Sequence, residues 1–175
     1  TIEAWVCPSS LPSSDSRIWS YQGTGGTVMN IYMLASGSSS VFAAEIRANG
    51  STGDTQTNGT TTAKVGTWYH IAFTRYSGTT KLFVNGVQEG STQTSQTQTL
   101  TSGTPAIGYY PTGSSSYFPG YISNVRIIKG AAQYTANFTP STLPLSTTSQ
   151  TTLLTCASNR FEDLSGSNNT VTVTG

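Results

Sequence analysis

An all-β fold, built as a two-sheet antiparallel sandwich, is predicted by three observations. Apolar and polar side chains alternate with period two in many short stretches, most clearly in Tyr69-His-Ile-Ala-Phe-Thr-Arg75 and Lys81-Leu-Phe-Val-Asn-Gly-Val87, the pattern of half-buried strands. Clusters such as Gly23-Thr-Gly-Gly26, Gly37-Ser-Ser-Ser40, Asn49-Gly-Ser51 and Gly113-Ser-Ser-Ser116 separate those stretches, as turns do. Ser and Thr together fill 56 of 175 positions while only 9% are charged, against about 25% in an average domain. Thr favours strands and Ser favours turns, so hydroxyls form the polar surface.

Taken in order, strands are expected near 2–7, 17–22, 28–35, 41–48, 54–62, 67–76, 80–85, 105–110, 120–128, 151–156 and 170–174. Asn85-Gly86 predicts a tight hairpin turn with positive φ angles. The step from Ile122 to Val125 breaks the period of two and predicts a bulge near Ser123–Asn124. The Thr- and Gln-rich segment 86–103 reads as an edge strand, because a long structureless loop is uncommon inside a compact domain. One short helical turn is expected around Ala131–Asn137, stopped by Pro140. Ile71, Phe73, Leu82, Val84, Ile122, Val125 and Ile127 are the expected core, with Trp5 and Trp68 as large fillers.

The chain is long enough for one domain that buries roughly 70% of its unfolded surface. Its net charge of +1, with five Arg and three Lys scattered, offers no footprint for nucleic acid or anionic lipid. No stretch approaches the roughly 20 apolar residues that span a bilayer, and no basic-then-apolar segment opens the chain. Ile2-Glu-Ala-Trp-Val6 already alternates as a strand, so a fragment or processed product is expected. Cys7 and Cys156 are too few for a disulfide scaffold and lack metal-knuckle spacing. They read as two free thiols, or as one long-range bridge should both end strands be neighbours.

Four stretches resemble the laminin-G-like, concanavalin-type jelly-roll family. They are Thr1-Ile-Glu-Ala-Trp-Val6, the 68–87 strand pair, Gly120-Tyr-Ile-Ser-Asn-Val-Arg-Ile-Ile-Lys-Gly130 running into Tyr134–Pro140, and Leu153–Arg160 continuing to Thr170-Val-Thr-Val173. The last is similar to opening strands as they recur in tail-fibre and structural proteins of marine bacteriophages. The resemblance implies a jelly roll over 1–145. Residues 146–175 stand out of the family's order: they belong to a following module, or they complete the sandwich in cis or in trans. Assembly with other copies or neighbouring modules is therefore expected.

Catalysis finds little support. A glycosidase of this shape needs paired carboxylates close together on one face. No two of Glu3, Asp15, Glu45, Asp54, Glu89, Glu162 and Asp163 stand two or four apart. His70 is the single histidine and lies mid-strand without a nucleophile elbow; it reads as a hydrogen-bonded structural residue. No cofactor is expected. Related laminin-G-like domains often use calcium, and Asp15, or Asp54 with Asn49 and Asn58, could contribute oxygens. One carboxylate per loop makes turn capping the simpler reading.

The candidate binding site is Gly108–Gly120, where Tyr109, Tyr110, Tyr117 and Phe118 crowd a loop with two prolines. Exposed rings stack on sugar faces or pack against a neighbouring subunit. The expected function is a non-enzymatic structural module of an extracellular fibre, phage tail or virion surface. The alternative is a lectin-like adhesin for host-surface glycans, and a glycoside hydrolase is the distant third.

Overall fold

The computed structural model describes residues 1–37, 39–47, 55–100, 102–111 and 116–174. Among these residues eleven strands form two antiparallel sheets: β1 (Ile2–Pro8), β2 (Ser16–Gly23), β3 (Val28–Ser36), β4 (Ser39–Arg47), β5 (Thr55–Thr62), β6 (Tyr69–Tyr76), β7 (Thr79–Val84), β8 (Val87–Gln93), β9 (Gly103–Ile107), β10 (Gly120–Ile128) and β11 (Thr151–Thr155). One sheet runs β11-β10-β1-β6-β7-β8 and the other β5-β4-β3-β2-β9. The two-sheet, all-β architecture matches the sequence expectation. Among the described residues the one helical element is a single 3-10 turn at Thr24–Gly26. Among the described residues no helix is long and apolar enough to cross a membrane.

Period-two alternation decides which side chains meet between the sheets. Ile2, Ala4 and Val6 from β1, Tyr69, Ile71 and Phe73 from β6, and Leu82 and Val84 from β7 interlock with Ile31, Met33, Phe42 and Ile46 from the opposite sheet. Ile71, Phe73, Leu82, Val84 and Val125 are buried as expected, whereas Ile122 and Ile127 are only partly buried against that core. The expected tryptophan fillers are corrected. Trp68 is 45% exposed, and Trp5 lies edge-on to His70. Both have the parity of outward positions. Tyr69, with its ring 4.9 Å from Phe42, and Trp19 fill the interior instead.

The turns follow backbone chemistry. Asn85 (φ 50°) and Gly86 (φ 80°) close the β7–β8 hairpin as a primed turn. The predicted bulge appears where β1 pairs Glu3 with Arg126 but Trp5 with Ser123, leaving Asn124 at φ 53°. Residues 87–93 form the expected edge strand, while 94–100 are irregular. There Gly78 and Arg75 bind the backbone of Gln96 and Gln98 at 2.8 and 2.6 Å.

The two sheets close against each other where β5 meets β8. The Glu89 carboxylate accepts from the Thr60 and Thr61 amides at 2.7 and 3.0 Å. A Cβ on Gly90, which has φ 65°, would come within 2.4 Å of the Asn58 carbonyl oxygen. Only glycine permits that approach.

Residues 129–150 cross the outer face of the six-stranded sheet. The helical turn expected at 131–137 is absent, because the segment's donors and rings find partners on the sheet. Phe138 N donates to Gly86 O at 2.9 Å, Asn137 Oδ1 accepts from Gln88 N at 2.9 Å, and the Tyr134 and Phe138 rings stack in parallel beside Phe83. Beneath lies Glu3, fully buried. Its Oε1 accepts from Arg126 Nε at 2.8 Å and Nη2 at 2.6 Å. Its Oε2 accepts from the Tyr134 hydroxyl at 2.8 Å and sits 3.0 Å from His70 Nε2. Arg126 Nη1 continues to the Ser146 carbonyl at 2.7 Å.

After β11 the chain is organised by Asp163. Its carboxylate accepts from the amides of Leu154, Ser165 and Asn169 at 3.0, 2.9 and 2.9 Å. Burial would raise its pKa, but these amides hold it down at about 2. β11 pairs with β10 of the same chain. The strand expected at 170–174 is not formed; those residues carry no ladder hydrogen bonds. Cys7 and Cys156 are free thiols.

Burial on its own would push the Glu3 carboxyl up, yet His70, Arg126 and Tyr134 outweigh it and hold it below the ordinary carboxylate value. A depressed folded pKa stabilises fully above the unfolded value of about 4.3 and loses that contribution as pH falls through the folded value. Urea denaturation at about pH 6 and about pH 3 should therefore show a steeper acid loss in wild type than in Glu3→Gln. Arg126→Met at neutral pH should cost roughly 3–5 kcal/mol, as removal of one partner of a buried pair does.

Candidate functional site

The aromatic loop is pinned at both stems to β2. Gly108 N donates to Ile18 O at 2.9 Å, Phe118 N to Gly108 O at 2.8 Å, and Arg17 N to Ser116 O at 3.0 Å. This folds the loop back across the end of β2 and separates its four rings. Tyr109 and Tyr117 stack with centroids 6.0 Å apart and planes 25° apart. Tyr117 is 66% exposed and Tyr109 half-buried. Ser20 Oγ donates to the Tyr109 carbonyl at 2.8 Å, fixing the backbone under that ring. Tyr110 points elsewhere: its hydroxyl accepts from Gln22 Nε2 at 2.8 Å, and its ring centroid lies 5.4 Å from the Arg17 guanidinium. Phe118 is buried in the core between the sheets, so it belongs to the fold and not to a surface platform. Residues 112–115 of the loop lie outside the described residues.

Beside the loop, the outer face of the five-stranded sheet carries groups that reading the chain residue by residue did not single out. Pairing places Ser20, Asn30, Glu45 and Gln56 in one row across β2, β3, β4 and β5. Glu45 Oε1 accepts from Asn30 Nδ2 at 2.6 Å, and Oε2 accepts from Arg47 Nε at 2.8 Å and Nη2 at 2.6 Å. Arg17 lies over the Tyr32 ring at 4.4 Å, with Nη2 3.9 Å from Glu45 Oε1 and Nη1 4.0 Å from Asp15 Oδ2. Burial, then the Glu45 charge, pushes the Tyr32 hydroxyl above its ordinary value. The two arginines and two carboxylates of this cluster balance in charge. The signal was present in sequence as the polar parity of strands 17–22, 28–35 and 41–48. Which of those residues are neighbours depends on register, which one strand alone does not contain.

This arrangement does not supply an acid–base pair. Both Glu45 oxygens are engaged, and His70 is fully buried under the strap formed by residues 129–150, with its Nε2 on Glu3. For calcium, Asp15 spends Oδ1 on the Ala35 amide at 3.2 Å, while Asp54 and Asn49 lie outside the described residues. Among the described residues no three His, Cys, Asp or Glu side chains are grouped to hold a metal.

On its other side Tyr109 borders a cleft of about 660 Å3 between the edges of β9 and β11. Trp19, Ile107, Leu153 and Phe161 line it, and residues 169–174 run along its mouth.

The fold is a concanavalin A-like β-sandwich. Residues 1–134 match the Laminin_G_3 family, described as the concanavalin A-like lectin/glucanases superfamily, and the chain belongs to that family. Its structure is similar to a candidate carbohydrate-binding protein from Bacteroides ovatus, with a TM-score of 0.68 and 18% identity over 94% of this chain and 46% of that one. It is also similar to a heptameric SAP-like pentraxin from Limulus polyphemus, with a TM-score of 0.51 and 16% identity over 71% of this chain and 61% of that one. The chain thus spans less than two thirds of either protein's length. No curated protein matches it.

The division of the four rings is testable by stability. Phe118→Ala should cost about 3–5 kcal/mol in urea denaturation, as buried aromatic deletions do. Tyr117→Ala should stay within about 0.5 kcal/mol of wild type, as exposed substitutions do.

Proposed function

We propose that the domain is a non-enzymatic carbohydrate-binding module, with the Tyr109–Tyr117 pair as its sugar-stacking platform. The observation that carries this reading is a pre-stacked aromatic pair, Tyr117 exposed and Tyr109 half-buried, with the backbone of Tyr109 fixed from beneath by Ser20. Rings held in place lose little conformational entropy on binding and present apolar area to the C–H faces of a pyranose. The charge-balanced Arg17–Glu45–Arg47–Asp15 cluster favours a neutral glycan over an acidic one.

The likeness to a candidate carbohydrate-binding protein supports the same reading through the fold. A surface rich in hydroxyls and poor in charges suits an extracellular or virion-surface setting, where a module of this kind recognises a host glycan from within a larger fibre or tail assembly. Engagement of both Glu45 oxygens supports the absence of glycosidase activity.

Binding of the purified chain to a panel of immobilised neutral and acidic glycans tests the proposal. Wild type should retain a neutral glycan, with affinity little changed between low and high salt. Tyr109→Ala and Tyr117→Ala should each weaken it about two- to tenfold, the equivalent of about 0.5–1.5 kcal/mol for an aromatic contact. Retention of no glycan by wild type, or equal affinity in the double variant, overturns the reading.

A further inference from the structure

The two edges of the sandwich are treated differently. At β5 and β8 the sheets are tied by Glu89 and by the close approach at Gly90. At β9 and β11 they leave the 660 Å3 cleft. On the β11 side the edge is already occupied: Leu154 N donates to Asp163 Oδ1, Leu154 O accepts from Leu164 N at 2.7 Å, and Thr152 O accepts from Asn169 Nδ2 at 2.7 Å. On the β9 side it is not. Gly108 N and Ser102 O face β2, so by alternation Gly103, Pro105 and Ile107 turn their backbone groups outward. Among the described residues these outward groups have no hydrogen-bond partner. Pro105 falls on this side, where its missing N–H disturbs no existing ladder.

The segment facing that free edge is Thr170-Val-Thr-Val-Thr174, which alternates with the period of a strand. It lines the same cleft as Pro105, Ala106 and Ile107, and Val173 is 63% exposed. Its start is fixed, because Asn169 is tied through its amide and side chain to Asp163 and Thr152. Five extended residues reach about 17 Å, more than the roughly 10 Å between stacked sheets.

We infer that residues 170–174 dock along β9 of their own chain as a sixth strand of that sheet, closing the cleft. Val171 and Val173 then turn inward beside Ile107 and Trp19, while the threonines face solvent. The outward carbonyls of Gly103, Pro105 and Ile107 and the amides of Gly103 and Ile107 gain partners. Tyr109, which borders both the cleft and the Tyr117 stack, is buttressed from behind. That last consequence rests on the glycan-binding reading; the docking itself does not.

Amide hydrogen exchange on the full-length chain, without any glycan, tests the inference. Val171→Pro and Thr172→Pro between them remove the N–H on either side of the segment. At least one of them should accelerate exchange at Gly103 and Ile107 tenfold or more, with the amides of β1 and β6 unchanged. Equal exchange in wild type and both variants overturns the inference. So does protection that grows with protein concentration alongside a dimer in sedimentation, which would place the strand in a second copy. If the exchange result holds and glycan binding is absent, the docking stands and only its link to Tyr109 falls.

Discussion

The buried carboxylate of Glu3 ties three parts of this molecule together. It joins β1 to β6 through His70, β1 to β10 through Arg126, and the sheet to its covering strap through Tyr134. A charge so far from water is tolerated only when its oxygens are fully engaged. The geometry meets that condition by drawing the strap down onto the sheet. The strap in turn brings Phe138 to the Gly86 carbonyl and stacks it against Tyr134. Any side chain at Gly86 would collide with the Phe138 carbonyl oxygen, so turn chemistry and strap position constrain each other.

The outer surface of the five-stranded sheet carries the Ser20–Asn30–Glu45–Gln56 row and the arginine held between Tyr32 and Tyr110. Hydroxyls, amides and balanced charges prevail there, with aromatic rings rising at one margin. The same sandwich therefore has one face sealed around the Glu3 carboxylate and another whose Ser20, Asn30 and Glu45 side chains are also buried, beside the half-buried Tyr109 and the exposed Tyr117.

Charged residues are concentrated in a few organising roles. Glu89 ties one edge of the sandwich, Asp163 arranges the turn after β11, and Asp15 receives the Ala35 amide. Each carboxylate accepts backbone N–H groups that would otherwise face an edge or a turn without partners. The scarcity of carboxylate pairs is thus the other side of their structural use.

The sequence by itself determined the class of fold and most strands, because side-chain alternation is a local property that each strand carries whole. It also determined the Asn85-Gly86 turn and the bulge at Asn124, where a broken period or a residue tolerant of positive φ marks the spot. It did not determine the path of 131–138, where Phe138 N donates to Gly86 O and Asn137 Oδ1 accepts from Gln88 N in place of a helical turn. Only the tertiary structure decided that Phe118 belongs to the core while Tyr109 and Tyr117 meet, and that Arg17, Tyr32 and Glu45 share a face. Those relations depend on how strands far apart in the chain are set beside one another, and a one-residue change of register would reverse them.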